Sequence, residues 1–586
     1  MTETEIKNST SGTSALNAGS LYAVGRRTTI DINIMVSGAA GQGIQTIGYI
    51  LAKTASEAGY YVFAWQEYES RIRGGSNSYR IRVSDTPANS PLIEADIFLP
   101  LDEKSKAKYR PLLKENGILI DERESGNRVI TIPFVSIAQT DLGNKLFANT
   151  VAAGALAAVL GLDLDSLSEV IADEFSGKGV DIIRTNLSAA ATGYKFAKKS
   201  CEGICPWRLP KRELAQYLIS GNEALALGAA AAGCRFIAAY PMTPSTGIIT
   251  FLSKHKEQLK IFTEQAEDEI AAINMAIGAT YAGVRAMTAS SGGGFALMVE
   301  GISLAGMTET PLVIVLGQRP APATGLPTRT EQGDLLFAIN AGHGEFPKLV
   351  FAPSDPKDAF HKIIRAFNLA DKYQSTAIIL TDQFLADSYF SVKNFELEEL
   401  DNRSYLANPE NIADYKRYQL TETGISPRLY PGQSQHVVCC DSDEHDEYGH
   451  ITEDLGLRRR MVDKRLKKFE LLRREILPPE EKEFAEAEDV LVSWGSSRNV
   501  VFEAVDKLNE KGNKVGALHF TELWPLPAYK FPSEKHYFLV ESNATGQLGR
   551  LLQSEFGLHV EGRITRYDGL PLDCMYIVEG FEKWSQ

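Results

Sequence analysis

The stretch Tyr240-Pro241-Met242-Thr243-Pro244-Ser245-Thr246 constrains this chain more than any other. It follows a short apolar run, residues 235–239 (RFIAA). A proline crowds the backbone of the residue before it and disfavours helix there, so Tyr240 and Thr243 are expected extended. Thr243 is then held on a stiff turn at a strand end, with its hydroxyl fixed in direction. A helix is expected to start near Ser245–Thr246 and to run to about residue 257. Phe262-Thr263-Glu264 reads as a short strand end, and a second helix follows, with Ile270, Ala271, Ile273, Ala276 and Ile277 at close spacing. Glu269 sits in its first turn beside Glu264, Glu267 and Asp268. For those three neighbours the plain reading holds, because acids in a first turn complement the helix dipole. Glu269 differs: the residues after it are apolar except Asn274. It is a candidate buried carboxylate with a displaced pKa.

After this helix a strand (Ala286 onward) runs into the small-residue loop Gly292-Gly293-Gly294. A helix over 295–307 and a strand over 311–317 follow, ending at Gln318-Arg319-Pro320. The segments YPMTPST (240–246), EDEIAA (267–272), MTASSGG (287–293) and LGQRPAPATGLPTRTEQGDL (316–335) occur in that order. They resemble the α subunit of the 2-oxoacid:ferredoxin oxidoreductases, in the form that carries a γ domain fused at its N terminus. The resemblance spans roughly residues 30 to 580. It implies thiamine diphosphate chemistry, with this subunit supplying the pyrimidine-binding domain. Glu269 would bond the aminopyrimidine ring in the proton relay that activates the cofactor, and Pro241, Thr243 and Ser290 would line the cofactor. Thr243 would bond the substrate's carboxylate or oxo group, and Arg319 would pair with the carboxylate. A planar guanidinium suits that role because it can bond a carboxylate through two N–H groups. Arg329, beyond a Gly/Pro-rich loop, is a second candidate for substrate binding.

Length and composition bound the rest. A chain of 586 residues suggests about three domains. Net charge −14 and 44% hydrophobic residues imply a soluble globular protein with no electrostatic case for nucleic acid. No apolar run approaches the ~20 residues of a membrane span. Residues 1–28, rich in Ser, Thr, Asn and Gly, read as a disordered tail without the apolar segment of a signal peptide. The six cysteines include no CxxC pair, and Cys201-x3-Cys205 is poor spacing for a metal or cluster. Their usage suits a reducing cytoplasm, and no metal site is expected in this chain.

The alternation of strands and helices argues an α/β fold with mostly parallel sheets, in three α/β domains. A γ-type, Rossmann-like domain covers 29–200 and a linker 201–215. The thiamine diphosphate pyrimidine-binding domain covers 216–395, and an extended linker with a charged helix covers 396–487. A transketolase C-terminal-like domain covers 488–586. In the first domain, a strand from Thr29 runs into Ser37-Gly38-Ala39-Ala40-Gly41-Gln42-Gly43 and then a helix. Bare N–H groups of Gly41, Gln42 and Gly43 at a helix N-terminus suit a phosphate, including that of coenzyme A. The spacing is GxxGxG, not the dinucleotide fingerprint GxGxxG, and a tight turn without ligand remains open. Arg71-Ile-Arg73-Gly74-Gly75 resembles the family's γ-domain Arg-Gly-Gly segment and faces the active site, a subunit interface or solvent. The acids and histidines of 441–450 read as a polar loop, with a divalent cation as the alternative. The helix over 458–475, mixed in charge, reads as a solvated or inter-subunit face.

What the sequence lacks points to a partner. It contains no Gly-Asp-Gly segment to hold a diphosphate and Mg²⁺, and no four-cysteine set for a [4Fe-4S] cluster. The resemblance assigns both to a separate β subunit, giving a heterodimer doubled to a heterotetramer, with ferredoxin as electron partner and coenzyme A as cosubstrate. The expected reaction is 2-oxoacid + coenzyme A + oxidised ferredoxin to acyl-CoA, CO₂ and reduced ferredoxin, in either direction. The fused arrangement, with the stretches His343–Lys348 and Glu444–His450, favours 2-oxoglutarate over pyruvate or branched-chain 2-oxoacids. Two rivals are a NAD-binding Rossmann dehydrogenase built on Gly38–Gly43 and a non-catalytic assembly subunit.

Overall fold

A computed structural model describes residues 29–70, 74–214, 216–401 and 403–584. The tail 1–28, and Arg71 and Arg73, lie outside the described residues. The chain opens with six strands: β1 (Asp31–Ala40), β2 (Tyr61–Glu67), β3 (Gly74–Ser84), β4 (Ala95–Pro100), β5 (Leu113–Asp121) and β6 (Val129–Thr131). Alternate residues of β1 enter different cores. Ile32, Ile34 and Val36 pack with the helices, and Met35 packs with Phe98, Tyr109 and Leu119 on the other face. A strand covered on both faces reads as the continuous apolar run seen here.

Eight strands follow: β7 (Tyr217–Ser220), β8 (Phe236–Ala239), β9 (Phe262–Gln265), β10 (Ala286–Ser291), β11 (Leu312–Gln318), β12 (Lys348–Phe351), β13 (Thr376–Asp382) and β14 (Tyr389–Val392). The last six are β15 (Glu480–Lys482), β16 (Asp489–Trp494), β17 (Val515–Phe520), β18 (Glu522–Trp524), β19 (His536–Glu541) and β20 (Gly562–Thr565). They form three sheets. The order is β6-β5-β4-β1-β3-β2-β14-β7 in the first, β18-β12-β13-β11-β10-β8-β9 in the second and β15-β17-β16-β19-β20 in the third.

Three expectations are corrected. The first sheet is mixed: β1, β4, β5 and β6 run parallel, but β3 pairs antiparallel with both β1 and β2. The β2–β3 connection is too short for the crossover that parallel pairing requires. The domain limits do not divide the sheets. β14 pairs with β2, Tyr389 opposite Ala64, so β7 and β14 extend the first sheet, not the central one. β18 likewise adds antiparallel to β12. Of the expected linker 201–215, the described residues pack on the first unit, with Leu209 buried and the Arg212 guanidinium 4.1 Å from the Tyr60 ring centre. Finally, Cys201 and Cys205 form a disulfide just after helix Val180–Ser200. The i,i+4 spacing at a helix end brings the two Cα atoms to 5.1 Å, within bonding reach, so these two are not the reduced thiols expected.

The charged helix Leu455–Glu475 is not solvated all round: one stripe of it is buried. Met461, Lys464, Arg465, Lys468 and Leu472 are buried, and Lys464 and Lys468 both bond Glu309 of the central unit. No helix of the described residues is long and apolar enough to cross a membrane.

Candidate active site

The central sheet places the site. After β8 the chain goes outward to β9, then returns to lay β10 on the other side of β8. Both neighbours run parallel to β8. This reversal leaves a crevice at the carboxyl ends of β8 and β10, the preferred ligand position in an open parallel sheet. Thr243, Ser290 and Arg319 stand at or just after strand ends at that edge, and Glu269 starts the helix behind it.

Thr243 stands in the connection between β8 and the helix that starts at Thr246. It lies in a turn that the Ser245 N–H closes by donating to Met242 O at 3.0 Å. Asn222 Nδ2 donates to Pro244 O at 2.9 Å and holds the turn from behind. Gly317 of β11 meets Pro244, and a side chain there would begin 2.9 Å from Pro244 Cγ. The close approach brings Arg319, two residues on, to this turn. Arg319 Nη1 donates to Thr243 O at 2.7 Å, so the motif turn and the strand-end arginine form one unit.

Glu269 is the first residue of helix Glu269–Tyr281. The Asp268 side chain caps that helix by accepting from Ala271 N at 2.7 Å. The cap explains why a run of acids stands here, and Asp268 has the plain role expected of it. Glu269 turns inward and is 3% exposed. Its Oε1 accepts from Ser290 Oγ at 3.4 Å, and Ser290 is fully buried at the end of β10. Gly292–Gly294 is not a loop but the first turn of helix Gly292–Leu297. A Cβ on Gly294 would collide with Ser290 Oγ and Glu269 Oε1, so the bare backbone is what lets this turn close over the carboxylate. Thr288 Oγ1 and Ser291 Oγ on the same strand are buried without a hydrogen-bond partner.

An acid absent from the expected set, Asp334, adjoins the site, and a second, Glu331, neighbours Asp334. Asp334 faces Gly292, where a Cβ would begin 2.9 Å from Asp334 Oδ2, and its charge acts on Arg319. Burial pushes the Asp334 carboxyl up to about 6, against the pull of Arg319. Burial and then the Asp334 charge push Glu331 up to about 7. The signal for both lay in the TRTEQGD stretch. Acids there stand in an aperiodic connection between a buried strand and a buried helix start.

Other expected residues lie elsewhere. Arg329 is 3.1 Å from Glu67 of β2, and no hydrogen bond or ion pair joins it to Thr243, Arg319 or Glu269 among the described residues. Gly41 and Gln42 line a separate cavity of about 530 Å³ in the first unit, with Lys106, Arg123 and Lys145 on its walls. Gln42 Oε1 folds back to accept from Ala39 N at 2.7 Å, and Lys106 is engaged by Asp121 at 2.7 Å. The polar stretch 441–450 is used internally: Glu444 pairs with Arg465 at 2.9 Å, and buried His445 packs on Tyr418.

Comparison with known proteins gives this geometry a family. A family model described as "Pyruvate flavodoxin/ferredoxin oxidoreductase, thiamine diP-bdg" matches residues 227–464. Another, "Pyruvate ferredoxin/flavodoxin oxidoreductase", matches residues 33–196. The 2-oxoacid:ferredoxin oxidoreductase subunit alpha of Saccharolobus solfataricus is 33% identical, over 94% of this chain and 97% of the relative. The 2-oxoglutarate synthase subunit KorA of Methanocaldococcus jannaschii is 36% identical, over 53% of this chain and 83% of its own. Among solved structures, 2-oxoglutarate:ferredoxin oxidoreductase from Magnetococcus marinus, with 2-oxoglutarate, coenzyme A and succinyl-CoA bound, superposes with a TM-score of 0.86. It is 31% identical and the match covers 95% of this chain and 100% of that one. Strand-end turn, buried glutamate, glycine-opened helix and twin module matches lead to one conclusion: the chain belongs to the 2-oxoacid:ferredoxin oxidoreductases, as an α subunit that carries both matched segments in one polypeptide.

Proposed function

We propose that this subunit acts on 2-oxoglutarate, converting it with coenzyme A and oxidised ferredoxin to succinyl-CoA, CO₂ and reduced ferredoxin. The observation that carries the 2-oxoacid chemistry is the buried Glu269 carboxylate beneath Gly294, with Thr243 and Arg319 on the adjoining turn at one sheet edge. The choice of 2-oxoglutarate is supported by the KorA relative and by the solved 2-oxoglutarate:ferredoxin oxidoreductase. The residues present fit the pyrimidine half of thiamine diphosphate. A buried carboxylate with one long side-chain hydrogen bond keeps acceptor capacity for a ring nitrogen's proton, and a glycine-lined wall admits a flat ring. The cofactor, when bound, supplies the carbon that attacks the 2-oxo group and stores the electrons left when CO₂ departs.

The chain's own residues do the rest. Glu269 holds the proton at the aminopyrimidine nitrogen, and Ser290 orients it by donating to Oε1. Arg319 pairs with the substrate carboxylate, and Thr243 bonds the carboxylate or oxo oxygen. Pro241 flanks the ring. The diphosphate, Mg²⁺ and [4Fe-4S] cluster belong to a separate β subunit, because the sequence has neither Gly-Asp-Gly nor a four-cysteine set; the assembly proposed is an α₂β₂ heterotetramer in the cytoplasm. The cavity lined by Gly41 and Gln42, just before Gly43, takes a phosphate of coenzyme A.

The test is coenzyme-A-dependent reduction of a viologen dye by the chain co-purified with its β partner, with 2-oxoglutarate and pyruvate in parallel. Reduction with 2-oxoglutarate is expected, and reduction with pyruvate alone would replace the substrate. Glu269→Gln is expected to abolish turnover while the subunits still co-purify. Wild-type turnover in that variant would remove Glu269 from the mechanism.

A further inference from the structure

The segment Pro320–Asp334 connects β11 to helix Leu335–Asn340, and both its flanks belong to the site: Arg319 before it and Asp334 at its end. Its middle belongs to the seams between units. Thr328 Oγ1 donates to Tyr68 O at 2.7 Å, and Arg329 Nη1 lies 3.1 Å from Glu67 Oε1, both in the N-terminal unit. On the other side Thr330 N donates to Gly569 O at 3.2 Å and Gln332 N to Ser542 O at 2.7 Å, both in the C-terminal unit. Gly569, at φ 84°, lies so close that a Cβ would begin 3.0 Å from Arg329 Cβ. One short connection thus touches all three sheets while carrying the substrate arginine at its head.

Glu67 is the anchor on the N-terminal side. It ends β2, is 7% exposed, and also receives Lys108 Nζ and Tyr109 Oη, each at 3.2 Å. Burial opposes its ionisation, but Arg329, Lys108 and Arg80 together hold its carboxyl below the ordinary range. Of these cations only Arg329 comes from outside the N-terminal unit, so it alone carries the charge of that cluster across the seam.

We propose that Arg329 is a positioning residue: its ion pair with Glu67 fixes the Pro320–Asp334 segment to the N-terminal sheet and so holds Arg319 in place for the 2-oxoacid carboxylate. This rests on the reading of Arg319 as that carboxylate's partner. It replaces a direct contact between Arg329 and substrate. It also makes the N-terminal sheet a contributor to 2-oxoacid affinity from outside the site.

The test uses the complete enzyme with its β partner and the variants Glu67→Gln, Arg329→Met and the double variant. Each is read for 2-oxoacid KM and kcat, and for amide hydrogen exchange over residues 320–334. Both single variants are expected to raise KM roughly tenfold with kcat changed by less than about threefold. The double variant should be no worse than the poorer single, because breaking one pair twice costs nothing further. Exchange over 320–334 should quicken in all three. A KM that rises in Arg329→Met but not in Glu67→Gln would make Arg329 a substrate ligand and overturn the proposal. Additive effects, or unchanged KM and exchange in both singles, would overturn it too. If the wild-type enzyme turned over no 2-oxoacid, the proposed function would fall, while the exchange measurement would still report on the pair. Should a variant fail to assemble, Glu67→Asp, which keeps the charge but shortens its reach, is expected to show a smaller rise in the same KM. A wild-type KM in Glu67→Asp together with wild-type exchange would count against the proposal.

Discussion

Asp334 acts on Arg319 and on a second acid, Glu331, and the titration of this pair predicts a pH response. Glu331 titrates at about 7 and Asp334 at about 6, each raised first by burial. Below those values both carboxyls carry protons, and the guanidinium meets the substrate carboxylate without a charged protein rival. As pH rises through them the protons leave, and the negative charge on Asp334 competes for Arg319. KM for the 2-oxoacid is therefore expected to rise by roughly threefold to tenfold from about pH 6 to about pH 8. Asp334→Asn should flatten the rise, with KM measured at saturating coenzyme A. A wild-type KM that stays level across that range would show that neither acid reaches the substrate. At this scale the sequence revealed residues that sit where periodicity breaks: Thr243 and Arg319 directly after strands, and Glu269 at a helix start. The aperiodic TRTEQGD stretch marked Glu331 and Asp334 as acids out of pattern, but the approach of Asp334 to Arg319 was not legible, because it depends on the path of Pro320–Asp334, which hydrogen bonds from distant chain segments decide.

Helix Leu455–Glu475 shows the same limit at the scale of an element. Its composition is that of a solvated helix, yet Met461, Lys464, Arg465, Lys468 and Leu472 line one buried stripe. That spacing follows the helical repeat and was readable; cations on it were not readable as core, because their partners lie far away in sequence. Glu309, at φ 48° and 1% exposed, accepts from Lys464 Nζ at 2.5 Å and from Lys468. Arg417 Nη2 donates to its carbonyl at 2.7 Å, so the segment expected as a linker is bolted to the central unit. Burial raises the Glu309 pKa less than the two lysines and Arg417 lower it, and the carboxyl is held ionised. Removing one member of such a buried set strands a charge, at a cost of about 3–5 kcal/mol. Glu309→Gln is accordingly expected to lower the unfolding temperature by several degrees, roughly 2–4 °C per kcal/mol in a unit of this size. A scanning-calorimetry trace that overlays the wild type would mean that the ions are solvated after all. The sign with pH follows for the carboxylate: its share of the stabilisation is present above the unfolded glutamate's ordinary pKa and is lost on acidification toward the depressed folded value, while burial, which pushes Lys464 down to about 7, takes that lysine's charge out of the set on the alkaline side.

For the whole molecule, three α/β units and their order were legible, because each strand–helix alternation announces itself locally. Their interlocking was not, because β7, β14 and β18 are three to four residues long and carry little pattern. Those short strands decide how the chain behaves as a body. β18 closes the β12 edge of the central sheet. One core cluster holds Ile273, Phe295 and Ile314 of the central unit together with Val492, Trp494, Phe520, Leu523 and Leu539 of the C-terminal unit. Each such side chain buried contributes about 1.5–3 kcal/mol. A handful of them equals the ~5–15 kcal/mol by which a typical domain is stable. A chain ended at Ala487 would lose that whole side of the core and bare the β12 edge, a ready template for pairing with another chain. It is expected to be recovered as aggregate, and the full chain to unfold its central and C-terminal units in one calorimetric transition. If the shortened chain instead eluted as a discrete species with a cooperative melt of its own, the two units would be independent domains. The common core would then be contact without dependence, and the anchoring of Thr330 and Gln332 to Gly569 and Ser542 could not hold the substrate segment from the C-terminal side.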